Sequence, residues 1–309
     1  MYEAAPYPDL GADLKDAKRA FGPILRHLPA DLSSVRFLDA GCGTGHLLVG
    51  TAKAYPDWTC HGIDLSEASL SVARQLAARH GVEVTIARGS YSEPLPFDTS
   101  EFDLISAQGT IHHAADPVDA LTRLGGALAP HGILSMHLYG WRLDQRKFEI
   151  KEMLSMLEPD LFEHEKRFEL YRQLRAFERR WTLRRLAGIS PLDVYIHLKH
   201  ALRNMRRRRR GVAWSPPWTE SYDHIDGPWI DHFCHPCERA YEVGDVKALV
   251  DASGFEIVEM RTQGREDLRW LPPQWRDAYS KLPDGRRYRL MELLSPSEQS
   301  FNVVLRKRR

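Results

Sequence analysis

Two spacings of apolar residues alternate along the first half of this chain. Short continuous runs come at Val35, Phe37 and Leu38, at residues 59–64, at residues 82–87, at Phe102, Leu104 and Ile105, and at residues 133–139. Each has the length and β-branched or aromatic content of a buried strand. Between them, apolar positions recur at three- and four-residue steps, as in residues 67–80, where Leu70, Val72, Ala73, Leu76 and Ala77 share one face. Strand and helix in strict alternation predict an α/β protein with a doubly wound, mainly parallel sheet. The alternation stops after residue 140 and resumes near residue 244. There, residues 245–253 read as a helix closed by Gly254, followed by strands at 256–260 and 301–305. The pattern therefore predicts seven strands, with about a hundred residues inserted between the fifth strand and its following helix.

The segment from Val35 onward sets the chemistry. Its strand ends near Asp39, and Gly41, Gly43 and Gly45 follow at spacing two before a helical pattern opens at His46. Glycines let a ligand approach the backbone, and a helix start offers free N–H groups to an anion. A dinucleotide turn would read G-x-G-x-x-G and must accept a pyrophosphate. Here Asp39 stands two residues ahead of the first glycine, where a carboxylate repels pyrophosphate but accepts from an ammonium group. S-adenosylmethionine carries such a group beside its own carboxylate. The second strand ends in Asp64, about twenty residues past the glycines, where a doubly wound fold places the acid that holds ribose hydroxyls.

The stretch Asp39-Ala40-Gly41-Cys42-Gly43-Thr44-Gly45 resembles the first motif of class I S-adenosylmethionine-dependent methyltransferases. Three later stretches resemble the same family: Leu95-Pro96-Phe97 with Phe102-Asp103-Leu104-Ile105, Ile111-His112-His113 with Asp116-Pro117, and Leu128-x-Pro130-x-Gly132-Ile133-Leu134. The resemblance covers residues 35–140 and implies a Rossmann-like core with S-adenosylmethionine as cofactor and S-adenosylhomocysteine as product. Carried onto this chain, it implies cofactor contacts from Asp39, Gly41, Gly43, Gly45, Asp64, Leu65, Ser90, Tyr91 and Gln108. The family usually has Gly-Asp after the third strand; this chain has Gly89-Ser90. A serine hydroxyl is a weaker, neutral acceptor, so adenine recognition is expected to rest on backbone groups of Ser90 and Tyr91.

On this reading the chain divides into an N-terminal cap (1–34), the cofactor core (35–140), a helical lid (141–243) and the returning part of the core (244–309). The cap has helical spacing over residues 14–28, and Tyr2 and Tyr7 are the side chains it could present to the site. In the insertion, Phe168, Tyr171, Leu174, Phe177 and Trp181 form a stripe expected to pack between lid helices. Arginines 206–210 read as a solvated helix end or loop, the alternative being contact with phosphate in a nucleic acid, a phosphorylated substrate or an acidic peptide. Trp229, Asp231, His235, Pro236, Glu238, Arg239 and Tyr241 resemble a W-x-D-x-x-x-H-P-x-E-R-x-Y stretch of a bacterial subset of these methyltransferases. The subset also opens Y-E-x-x-P-Y-P, matched by Tyr2, Glu3, Pro6, Tyr7 and Pro8. Tyr7, Tyr139, Asp231 and Tyr241 are the candidate substrate contacts. An acceptor oxygen or amine needs a base that titrates near neutrality, and the order of candidates is His235, His113, His112. Cys234 and Cys237, with His232 and His235, lack a second ligand pair, so no metal is expected.

Composition narrows the partners. With 43 basic against 42 acidic residues the formal net charge is +1, which argues against a surface built for nucleic acid. The chain has four cysteines without a framework, and no apolar run of spanning length, so a cytoplasmic setting is expected. Small-molecule methylation on O, N or C, in secondary metabolism, is the leading expectation. The alternatives are an RNA- or protein-directed methyltransferase, against which Gln108-Gly109-Thr110 replaces the Asn/Asp-Pro-Pro-Tyr of base-amino enzymes, and a non-catalytic cofactor-binding partner. The apolar surface of the insertion leaves room for a homodimer.

Overall fold

A computed structural model of the chain describes residues 6–8, 14–91, 93–97, 102–185, 227–262, 273–294 and 300–308. Tyr2, Glu3, the arginine run 206–210 and the aromatic residues between 214 and 222 lie outside the described residues. The chain divides into two compact units, residues 1–145 with 236–309, and residues 146–235.

The larger unit holds a seven-stranded sheet in the order β3-β2-β1-β4-β5-β7-β6. Its strands are β1 (Arg36–Ala40), β2 (Thr59–Asp64), β3 (Thr85–Arg88), β4 (Phe102–Gln108), β5 (Leu128–Tyr139), β6 (Phe255–Thr262) and β7 (Ser300–Lys307). Strands β1 to β5 pair in parallel, while β7 runs antiparallel to both β5 and β6. Successive side chains point to opposite faces, and both faces are buried. Leu38, Ile105, Leu134 and Val303 enter one apolar cluster, while their neighbours Phe37, Leu104, Ile133 and Val304 enter the other. This is why the strands read as continuous apolar runs rather than as alternation.

Helices cover each face. Helix α1 (Ala17–Phe21), α2 (His46–Ala54) and α3 (Glu67–His80) contribute to the Phe37 cluster. Helix α4 (Pro117–Ala127) and α8 (Val243–Ala252) contribute to the Leu38 cluster. Local signals set the ends. The Ser66 side chain accepts from Ser69 N–H at the start of α3, and Gly81 closes it in the left-handed region. Asp116 accepts from the N–H groups of Val118 and Asp119 ahead of Pro117 in α4. Gly254, at φ +74°, ends the segment after α8.

Two elements differ from the sequence expectation. Helical spacing over 14–28 yields only the five residues of α1 and a 3-10 turn at Leu25–His27. Pro23 lacks an N–H and follows Gly22, so the helix stops there although Phe21, Ile24 and Leu28 all stay buried. The third strand forms at Thr85–Arg88, three residues later than Val82.

The smaller unit is helical as far as it is described, with α5 (Trp141–Leu157, from residue 146), α6 (His164–Arg185) and α7 (Gly227–Cys234). Tyr171, Trp229 and Phe233 are buried there, with Tyr171 and Phe233 ring centroids 5.0 Å apart and Phe168 edge-on to Trp229 at 5.2 Å. Arg167 is buried with them and donates to the Phe233 and Glu158 carbonyls. The side chains of Phe177 and Trp181 lie outside the described residues. Two further helices, α9 (Pro273–Ser280) and α10 (Asp284–Leu294), precede β7. No helix among the described residues is long and apolar enough to cross a membrane.

Candidate cofactor and acceptor site

The carboxyl ends of β1, β2, β4 and β5 bring most of the predicted residues to one edge of the larger unit. Asp39 lies near the end of β1, 3% exposed, beside Ser106 in the β1–β4 register. Burial pushes its carboxyl up to about 7, against the pull of the Lys15 ammonium. Desolvation thus outweighs the pull of the Lys15 ammonium on this acid.

The turn after it is built for close approach. Gly41, Gly43 and Gly45 have φ of +84°, +52° and +81°. A Cβ on Gly41 would meet Thr110 Cγ2 at 2.4 Å, and one on Gly45 would meet Ala73 Cβ at 2.7 Å. Gly45 begins α2 and no side chain caps it, which leaves the first-turn N–H groups of that helix to an incoming anion. Residues of the N-terminal segment cross this turn: Thr44 N–H donates to the Tyr7 carbonyl at 3.2 Å, and Thr44 Oγ1 donates to the Pro8 carbonyl. Lys15 N–H donates to the His46 carbonyl at 3.2 Å.

Asp64 ties the turn to the next helix, accepting from Gly43 N–H and Ser66 N–H, each at 2.9 Å. A carboxylate accepts at both oxygens, and here each oxygen takes one backbone N–H. Next to it Leu65 is 64% exposed, a large apolar side chain at the position expected beside a nucleoside. Ser90 is half-buried. Tyr91 donates its hydroxyl to the Thr110 carbonyl at 3.0 Å, and burial with the Asp64 charge pushes its phenol up to about 12. Gln108, at the end of β4, donates to the Ser135 carbonyl and hydroxyl, both at 3.2 Å.

The histidines follow on the loop after β4. His112 is fully buried between the rings of Tyr139 and His113, with centroids 4.0 and 4.2 Å away. His113 Nδ1 lies 3.0 Å from the Cys237 carbonyl. A carbonyl only accepts, so Nδ1 carries the proton and Nε2 is the basic nitrogen. His137 flanks Tyr139, and burial together with the Lys15 ammonium pushes its imidazole down to about 4. Tyr241 is buried, with its hydroxyl unbonded, and burial pushes its phenol up to about 12. Both groups are neutral at pH 7.

Residues 236–242 are stitched to this edge. Arg239 N–H donates to the His112 carbonyl, and its guanidinium donates to the Ala114 and Ala115 carbonyls. Tyr241 N–H donates to the Tyr139 carbonyl and Trp141 N–H to that of Tyr241, each at 2.9 Å. Asp231, on α7, and His235, just after it, are buried and fall in the smaller unit. All four cysteines are free thiols. The sequence reading missed Lys15, Ser106 and the role of Arg239. Arg239 falls in the stretch that the resemblance marked; nothing local marked Lys15.

A family model described as a methyltransferase domain matches residues 31–179. The chain is 28% identical over 285 residues to an uncharacterized protein of Synechococcus sp., covering 89% of this chain and 60% of that protein. It is 35% identical over 101 residues to the ubiquinone biosynthesis O-methyltransferase of Alkalilimnicola ehrlichii, covering 33% of this chain and 40% of that enzyme. The chain thus spans less than two thirds of either relative. Its fold is similar to that of PKMT2 from Rickettsia typhi in complex with AdoHcy, with TM-score 0.64, 16% identity, and coverage of 98% of this chain and 55% of that one. It is also similar to an S-adenosylmethionine-dependent methyltransferase from Clostridium acetobutylicum, with TM-score 0.50, 12% identity, and coverage of 97% and 94%.

Proposed function

We propose that this chain, whose core is that of the class I S-adenosylmethionine-dependent methyltransferases, transfers a methyl group to a neutral small-molecule acceptor. The observation that carries the reading is the buried Asp39, held near neutrality above a glycine turn whose helix no side chain caps. An ammonium beside Asp39 and a carboxylate at the uncapped helix start together describe the amino-acid end of the cofactor. Lys15 adds a cation on the same side, so a zwitterion is matched charge for charge.

In this reading Asp39 would accept from the ammonium, Lys15 and the first turn of α2 would hold the carboxylate, and Asp64 would accept from ribose hydroxyls. Leu65 covers one face of the adenine, and backbone groups of Ser90 and Tyr91, with Gln108 nearby, reach its edge. The bound cofactor supplies a methyl group already activated on a sulfonium. The protein then has to align the acceptor and exclude water. We assign the base to His113: its Nδ1–H is fixed on the Cys237 carbonyl, which aims Nε2 as the proton acceptor. His235 is the alternative base, and His112 is a buried wall. Tyr139, Tyr241 and His137 present aromatic faces and neutral hydrogen-bonding groups, which suit an uncharged acceptor better than an ionic one. Tyr7, Asp231 and the helices of the smaller unit are the further substrate contacts proposed.

The test is a calorimetric titration with S-adenosylhomocysteine and with 5′-methylthioadenosine, which lacks the amino-acid end. Tight binding of the first and binding at least about tenfold weaker of the second support the reading. Equal affinity, or no binding of either, removes its foundation. An acceptor screen with methyl-labelled cofactor then finds the substrate.

A further inference from the structure

The opposite edge of the same sheet holds a cavity of about 970 Å³. It lies where the parallel strands begin: Pro130 and His131 open β5, Glu256 opens β6, and the antiparallel β7 delivers Arg306 and Lys307 to the same edge at its end. Residues 27–29, ahead of β1, form the remaining wall. Everything assigned to the cofactor stands at the other ends of these strands.

Its charges are arranged unevenly. The imidazoles are taken up, His27 on Glu259 at 2.8 Å and His131 on Asp103 at 2.7 Å. Arg308 pairs with Asp251. Arg306 and Lys307 differ: each is half-buried and donates to a neutral carbonyl, of His27 at 2.7 Å and of Leu128 at 2.6 Å. Among the described residues neither has a carboxylate partner. Glu256 sits opposite Arg306 in the β6–β7 register, yet no ion pair joins them. Two neighbouring half-buried cations without counter-ions suit an anionic ligand, and both keep donors unspent. Leu28, Pro29 and Pro130 give the cavity an apolar side. The volume is that of a drug- or nucleotide-sized ligand.

We propose that this cavity binds a small phosphorylated molecule of about nucleotide size, its phosphate on Arg306 and Lys307 and its body against Leu28, Pro29 and Pro130. Glu256 sets the orientation, because it repels a phosphate placed at its own end. The site is remote from methyl transfer, so its occupant acts as an effector rather than as an acceptor. The effector role rests on the proposed methyl transfer; the binding site itself stands without it.

The test uses the full chain with inorganic pyrophosphate as probe and ribose 5-phosphate as the second ligand. Saturable binding is expected by calorimetry, weakened at least about tenfold in Arg306→Gln/Lys307→Gln, with S-adenosylhomocysteine affinity unchanged in that variant. Equal pyrophosphate affinity in wild type and variant, or no saturable binding, overturns the proposal. Since both side chains also anchor backbone, amide shifts of the wild type are read in parallel. Pyrophosphate perturbing His27, His131 and Lys307 supports the site, whereas shifts confined to the glycine turn place the anion on α2 and overturn it. A short single-stranded RNA that displaces pyrophosphate with affinity rising with length also overturns it, in favour of an extended nucleic-acid surface.

Discussion

Asp39 has an ordinary pKa of 3.8 and is pushed up to about 7 by burial in the folded chain. The folded state therefore holds the proton more tightly than the unfolded one. Its stabilising effect is complete below about pH 4 and is lost as pH rises through about 7. Asp39→Asn removes that dependence, so the variant should be the more stable protein above pH 7, by an amount on the order of a few kcal/mol. Thermal denaturation across pH 4–8 checks it, and parallel curves for the two proteins would show that Asp39 is ordinary. The same variant should bind S-adenosylhomocysteine about ten- to a hundredfold more weakly, since the ammonium loses its charged acceptor. Lys15→Ala should weaken S-adenosylhomocysteine by about tenfold and leave 5′-methylthioadenosine alone. An equal loss for both ligands would mean that Lys15 shapes the turn instead of meeting the carboxylate. Asp39 was legible in the sequence because its meaning lies in seven consecutive residues. Lys15 was not, because its charge reaches Asp39 and His137 only through the folded path of the N-terminal segment.

Elements were legible to the extent that their signals are local. The runs at β1, β2, β4 and β5 stand out because both faces of each strand are buried. The cap at Ser66 fixes α3 at its expected start, residue 67. The first helix was overestimated because burial of Phe21, Ile24 and Leu28 keeps a helical spacing even though Pro23 breaks the backbone. Least legible was the use of residues 236–242, whose partners lie about 125 positions away. Arg239 holds the loop after β4 by three carbonyls. Arg239→Ala leaves those of Ala114 and Ala115 without their charged donor and should cost about 2 kcal/mol or more. Hydrogen exchange should quicken at the His113 and Ala114 amides, bonded within that loop, while β1 and β2 keep their protection. Uniform loss of protection across the sheet would make Arg239 a general stabilising contact, with no hold specific to the His112–His113 loop.

At the scale of the molecule, the sheet order separates two edges. The five parallel strands gather Asp39, Asp64, Gln108 and Tyr139 at one edge, and β7, by running backwards, carries its basic end to the other. The sequence predicted seven strands and the point of insertion, but a reversed strand leaves no local mark, so the second edge was invisible. The insertion itself leaves and returns through paired backbone: Tyr241 N–H meets the Tyr139 carbonyl, Trp141 N–H meets the Tyr241 carbonyl, and Gly140 bridges Tyr241. The larger unit thus closes its own sheet at the point of departure, and its ends need no more than a short flexible joint. Replacing residues 146–235 by a short Gly/Ser linker should therefore leave a folded protein. It should bind S-adenosylhomocysteine within about threefold of the full chain and transfer no methyl group to any acceptor found for that chain. Circular dichroism, calorimetry and the acceptor assay read the three parts separately. Loss of cofactor binding in a folded product would assign part of the cofactor site to residues 146–235, and retained methyl transfer would return the whole acceptor site to the carboxyl edge of the sheet.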